Sequence, residues 1–191
     1  MSIQLIKAAG YTLLVTVMCA IGQEDSAELQ GKLIPRTKSV QGRRFVLHGV
    51  GILRAGLVFK VYAAALYRDA DAAPADVLED GAISLEVHYL HKTPKRHMVG
   101  TANQTLSKNL NADKLSALRS RIDKLHAAYR DGEKGGVASL TYIPGTGLIY
   151  AYNNEIITTI KGDDFIAYLD VWLGEKPSSK TLKAQLLEPV E

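Results

Sequence analysis

Residues 57–68 (LVFKVYAAALYR) set Leu57, Phe59, Val61, Ala63, Ala65 and Tyr67 on one face of an extended strand. The other face carries Val58, Lys60, Tyr62, Ala64, Leu66 and Arg68, apolar enough at its middle to predict burial on both sides. Residues 83–90 (ISLEVHYL) alternate more strictly. Ile83, Leu85, Val87 and Tyr89 point inward, and Ser84, Glu86 and His88 outward. Residues 137–160 read as a three-strand meander, VASLTYI, LIYAY and EIITTI, broken by Pro144-Gly145-Thr146-Gly147 and by Asn153-Asn154.

Between these strands the spacing changes to that of helices. Thr93-Pro94 predicts a helix start with proline at the first helical position, running to about Leu110. A second helix over 111–130 carries Leu115, Leu118, Ile122, Leu125 and Tyr129 on one stripe. Residues 163–173 (DDFIAYLDVWL) predict a capped amphipathic helix ending at Gly174, and residues 178–187 a last helix. Upstream, residues 23–41 are polar and predict a short strand or extended arm, with the ordered domain beginning at FVLHGVG, 45–51. Residues 74–78 predict a helical turn. Strands, two helices, strands and two helices make an α+β class: an antiparallel β-sheet with helices packed on one face.

The N-terminus changes the picture of where the chain works. Residues 8–20 (AAGYTLLVTVMCA) are uncharged and mainly apolar, follow Lys7, and are too short for a comfortable membrane span. Ala20 and Gly22 are small residues at the positions a signal peptidase reads. Residues 1–22 are therefore expected to be a signal peptide and 23–191 the mature domain, periplasmic or secreted and without stable membrane insertion. Cys19 is the chain's one cysteine, so the mature domain would have no disulfide, thiolate nucleophile or cysteine metal ligand. Met18 is a poor fit before a lipidated cysteine.

Charge excludes another class. A formal charge of +3, with basic and acidic residues interleaved, gives no footprint for nucleic acid. A hydrophobic content of 47% suffices for a core without metals. His88, His91 and His97 lack a carboxylate at ligand spacing, and positions three apart on a strand face opposite sides, so a solvated set and no metal site is expected. The Pro-Gly-Thr-Gly turn is not followed by a helix or a Gly-Lys pair and is no phosphate loop.

Three stretches together resemble the chalcone isomerase-like family: 47–67 (LHGVGILRAGLVFKVYAAALY), 135–147 (GGVASLTYIPGTG) and 162–187 (GDDFIAYLDVWLGEKPSSKTLKAQLL). The resemblance is closer to the bacterial exported branch than to the plant enzymes. It implies an open-faced β-sandwich, a large sheet backed by helices, with a ligand cleft between the layers. Carried over residue by residue, the isomerase arginine that follows the glycine-rich turn falls on Arg54, and the catalytic threonine on Tyr62. With Asn103 as the cleft asparagine, the catalytic tyrosine falls on Arg96, and the final Thr or Ser falls on Val171. Cyclisation of a flavonoid precursor is thus not expected.

The expectation is a non-catalytic protein without cofactor. Its ligand would be a small apolar or amphipathic carboxylate of fatty-acid type, with Arg54, Tyr62, Lys60 and Asn103 at the site. Lys60 shares the face of Tyr62 if the strand is regular. Two alternatives stand beside it: an isomerase or lyase using Arg54 to stabilise an enolate-like oxyanion, and a haem-binding or structural envelope protein.

Overall fold

A computed structural model describes residues 26–29, 32–56, 58–71 and 81–190. The expected signal peptide, 1–22, and the expected helical turn at 74–78 lie outside the described residues.

The polar arm expected at 23–41 forms three short strands: β1 (Ser26–Leu29) and β2 (Lys32–Pro35) pair with each other, and β3 (Thr37–Val40) joins the main sheet. That sheet continues through β4 (Arg43–Ala55), β5 (Phe59–Asp69), β6 (Ile83–Tyr89), β7 (Val137–Ile143), β8 (Gly147–Tyr152) and β9 (Glu155–Ile160). All seven strands follow one another in chain order and every pairing is antiparallel. Between β6 and β7 the chain leaves to form α1 (Lys95–Asn109) and α2 (Ala112–Ala128). After β9 it returns through a 3₁₀ segment (Asp163–Leu169), α3 (Asp170–Leu173) and α4 (Lys180–Leu187). The antiparallel sheet with helices packed on it is the expected α+β class.

Burial on both faces of β5 is real. Ala64 and Leu66 join the core between sheet and helices, and Ala65 and Tyr67 join a second cluster on the far face with Ile34, Phe45 and Ile149. A strand covered on both sides must be apolar on both, which is why alternation fails there.

The glycine-rich turn that the resemblance implies before Arg54 is absent. β4 runs through Gly49 and Gly51 to Ala55, and the reversal comes at Gly56, whose φ of 62° suits glycine. The two strand glycines instead serve a close approach. A Cβ on Gly49 would overlap the Leu186 carbonyl, and one on Gly51 would lie 2.8 Å from Leu182 Cδ1. α4 thus packs directly on the β4 backbone, and Gln185 Oε1 accepts from Ile52 N at 3.0 Å.

Two helix expectations shift. Pro94 is the residue before α1 rather than its first, and the Lys95 N–H is satisfied by Asp131 Oδ1 at 2.7 Å. Residues 163–169 wind as 3₁₀ instead of α. In that tighter winding positions three apart eclipse, and the Phe165 and Tyr168 rings stack at 5.7 Å.

The outward face of β6 is not solvated. Ser84 is buried and bonds Thr141 at 2.6 Å. Glu86 accepts from Lys38 at 2.7 Å and lies 3.1 Å from His88, itself buried, so His88 does not belong to a solvated histidine set. Lys38 reaches across the curled sheet to do this, its ammonium 4.5 Å from the Tyr67 ring centre. Burial by itself would raise the Glu86 carboxyl. The His88 bond and the Lys38 charge outweigh it and hold the group down at about 2.

Candidate functional site

A cavity of about 440 Å³ lies between the sheet and the helices. That volume falls inside the range of roughly 300–1,000 Å³ typical of small-molecule sites. Leu53, Leu85 and Leu140 form its sheet wall, and Met98, Ala102 and Val171 its helix wall. Among the described residues no Asp, Glu, Lys or Arg lines it. Its opening is marked by exposed lining residues, Ala55, His97, Thr101 and Ser178. His97 and Thr101 stand one turn apart on α1 and so share its mouth-facing side.

The cavity is placed by an irregularity in β5. Leu53 pairs with Tyr62 but Arg54 pairs with Lys60, so Val61 is an extra residue with no partner. Such a bulge brings two consecutive side chains to one face. Val61 and Tyr62 accordingly both line the cavity. Regular alternation resumes beyond the bulge in the opposite phase, and Lys60 turns to the other face of the sheet beside Arg54. Arg54 itself is exposed between two cavity-lining neighbours, Leu53 and Ala55.

Of the four expected site residues, then, Tyr62 lines the cavity, and Arg54 and Lys60 do not because the bulge and strand alternation turn them away. Asn103 does not line it either. It sits between α1 and α2, where its Oδ1 accepts from Arg119 at 3.4 Å, because the helix presents Ala102 to the cavity instead. Arg96, which took the position of the isomerase tyrosine, is exposed and absent from the walls, whereas Val171 is part of them.

Tyr62 is the polar centre of the upper cavity. Its hydroxyl accepts from Trp172 Nε1 at 3.0 Å, and among the described residues it has no acceptor for its own proton. Burial pushes this phenol up to about 12, against a smaller downward pull from the Trp172 bond, so it stays a neutral donor at ordinary pH. The deeper tyrosines are otherwise engaged. Tyr89 donates to Met98 Sδ at 2.9 Å, and Tyr150 accepts from Arg130 N at 3.4 Å. Tyr129 bonds Tyr168 at 2.7 Å, which in turn meets His126 Nε2 at 2.9 Å. Burial lowers His126 to about 4, so this chain of hydroxyls ends on a neutral imidazole. The floor is therefore uncharged, Tyr150 keeps its own proton as Tyr62 does, and the Tyr62 proton is the one offered to a guest near the mouth.

Trp172, Met98 and Thr101 are not singled out by sequence reasoning, and His97 enters it only as one of a solvated set of histidines. The sequence signal for Trp172 was the Trp-Leu-Gly-Glu-Lys-Pro helix end, read there as a family motif rather than as a wall of the site. Nothing in the spacing of residues joins it to Tyr62, 110 positions away.

Comparison with known proteins agrees with this architecture. A crystal structure of an Arabidopsis thaliana fatty-acid binding protein matches with a TM-score of 0.65 and 19% sequence identity, covering 85% of this chain and 96% of that one. At that identity the likeness is one of fold. No curated protein matches the chain by sequence. The family model described as chalcone isomerase-like matches residues 26–188, a span that takes in every strand of the sheet and every helix packed on it. This chain therefore belongs to the chalcone isomerase-like family.

Proposed function

We propose that the protein is a non-catalytic binder of a single-chain apolar carboxylic acid of fatty-acid type. The observation that carries this reading is an apolar cavity without charged walls whose upper part holds the neutral Tyr62 hydroxyl, oriented by Trp172. An alkyl chain gains by leaving water for such walls, at about 25 cal/mol per Å² buried. An ionised head driven to the floor would lose its hydration without a counter-charge, at a cost of several kcal/mol. The head group accordingly stays near Tyr62, within reach of water at the His97–Thr101 mouth, while the tail runs inward. The fatty-acid binding relative of the same fold supports this ligand class.

A lyase or isomerase reading has less support. It depends on Arg54 to stabilise an oxyanion, and Arg54 does not line the cavity. Chalcone incubated with the protein should cyclise at its uncatalysed rate. Export with cleavage near Gly22 is part of the same proposal, supported by the composition of residues 1–22, and N-terminal sequencing of the secreted protein tests it.

The ligand reading has a built-in reporter, since the chain's single tryptophan is the residue bonded to Tyr62. Titration with monomeric palmitate should give a saturable change in Trp172 emission and a calorimetric stoichiometry near one per chain. Failure of both signals to saturate would remove the proposal.

A further inference from the structure

Among the described residues four large hydrophobic side chains are prominently exposed, and two of them, Val58 at 81% and Phe59 at 53%, are consecutive. They form the tip of the β4–β5 hairpin, just beyond Gly56. Phe59 is not loose, because its ring stacks on His91 at 4.6 Å with an interplanar angle of 27°. The tip adjoins the cavity: Ala55, which pairs with Phe59, is one of the residues at the mouth. An exposed apolar patch at the entrance to an apolar cavity calls for an occupant.

Charge says which occupant. Arg54 and Lys60 pair across the hairpin directly behind the tip. Arg96 stands in the first turn of α1, next to His97 at the mouth. Arg54 and Arg96 are exposed, and neither makes an ion pair among the described residues. Of the acids beside this segment, Glu133 pairs with Lys92 at 3.2 Å, and Asp131 accepts from the Lys95 N–H while keeping its charge. Two exposed apolar side chains at the hairpin end, with cations set back from them, match the layering of an anionic lipid surface, apolar below and negative at the headgroups. No helix among the described residues is long and apolar enough to cross a membrane.

We propose that the β4–β5 tip is a docking surface for an anionic lipid bilayer, set so that the cavity mouth meets the bilayer from which its ligand enters or leaves. The docking geometry stands on the hairpin and the start of α1. The ligand exchange it serves rests on the fatty-acid reading above.

The test is flotation of ligand-free protein with vesicles of phosphatidylcholine and phosphatidylglycerol, against vesicles of phosphatidylcholine alone. The protein should float with the anionic vesicles, at least tenfold more than with the neutral ones, and high salt should release it. Val58→Asp with Phe59→Asp should abolish flotation, and Arg54→Glu with Arg96→Glu should do so independently through charge. Palmitate titration of the Val58/Phe59 variant without vesicles should match wild type, because neither residue lines the cavity, and this also verifies that the variant is folded. Wild type that stays down with both vesicles, or a Val58/Phe59 variant that floats as well as wild type, overturns the proposal. So does a dimer in light scattering that the Val58/Phe59 variant dissociates, since the tip would then bind a second copy. Flotation that follows this pattern in a protein that takes up no palmitate would leave the docking surface standing and remove the fatty-acid reading instead.

Discussion

Trp172 Nε1 donates to the Tyr62 hydroxyl at 3.0 Å, joining α3 to the bulged end of β5 across the top of the cavity. The bond spends the indole's one donor and leaves the phenol's proton for a ligand. It also fixes two large side chains that would otherwise lose rotamer freedom on binding, so the head-group site is organised in advance.

Removing the hydroxyl tests this arrangement. Tyr62→Phe should weaken palmitate binding by about 1.5–3 kcal/mol, the usual range for a hydrogen bond to a charged acceptor. Because Tyr62 is pushed up to about 12, wild-type affinity should stay level from about pH 7 to 10. Trp172 emission reports both measurements. Unchanged affinity in Tyr62→Phe would move the head group elsewhere.

Arg54 provides the contrast. Its side chain is exposed and outside the cavity, so Arg54→Ala should change the affinity for palmitate in vesicle-free solution by less than about threefold, the scale of an exposed charge interaction. A calorimetric loss of tenfold or more would return Arg54 to the site.

The glycines of β4 make a prediction about packing. Gly49→Ala forces a methyl against the Leu186 backbone, which cannot swing away, and should cost about 2–3 kcal/mol in urea unfolding. Gly51→Ala meets the side chains of Leu182 and Gln185 and should cost less. Equal, small losses would mean that α4 shifts freely on the strand.

Acid stability should depend on Glu86. Its carboxyl is held at about 2 in the folded protein, below the 4.5 of a free glutamate. The unfolded chain therefore takes up this proton first as pH falls, and the stabilisation present above about pH 4.5 is lost progressively towards about pH 2. Glu86→Gln should flatten this part of the stability profile. It also strands the buried Lys38 ammonium and should lower stability at pH 7 by about 3 kcal/mol, the order of cost for breaking a buried pair. Thermal melts of both proteins across the acid range provide the comparison.

Most elements could be read from the chain because their signals are local. The meander over 137–160 and the α2 stripe ending at Tyr129 follow from side-chain period and turn residues, and the structure has them within a residue or two. The family could likewise be read from three contiguous motifs. Burial on both faces of β5 was legible for the same reason, since Ala63, Ala64 and Ala65 leave no polar side.

What the sequence determined by itself is thus the α+β order, the class of sheet and the family, all of which depend on neighbours along the chain. The tertiary structure alone decided who meets in the cavity. One unpaired residue, Val61, reverses the phase of β5, adding its own side chain to the cavity wall beside Tyr62 and turning Lys60 away with Arg54. A bulge is a property of two strands in register and leaves no mark on the periodicity of one. For the same reason Gly49 and Gly51 read as a turn until α4 was seen lying on them. The polar face of β6 read as solvent-exposed until Lys38 was found closing over Glu86 and His88. For the glycines and for the β6 face the deciding partner lies tens of residues away in the chain, where hydrophobic pattern carries no information and only packing does.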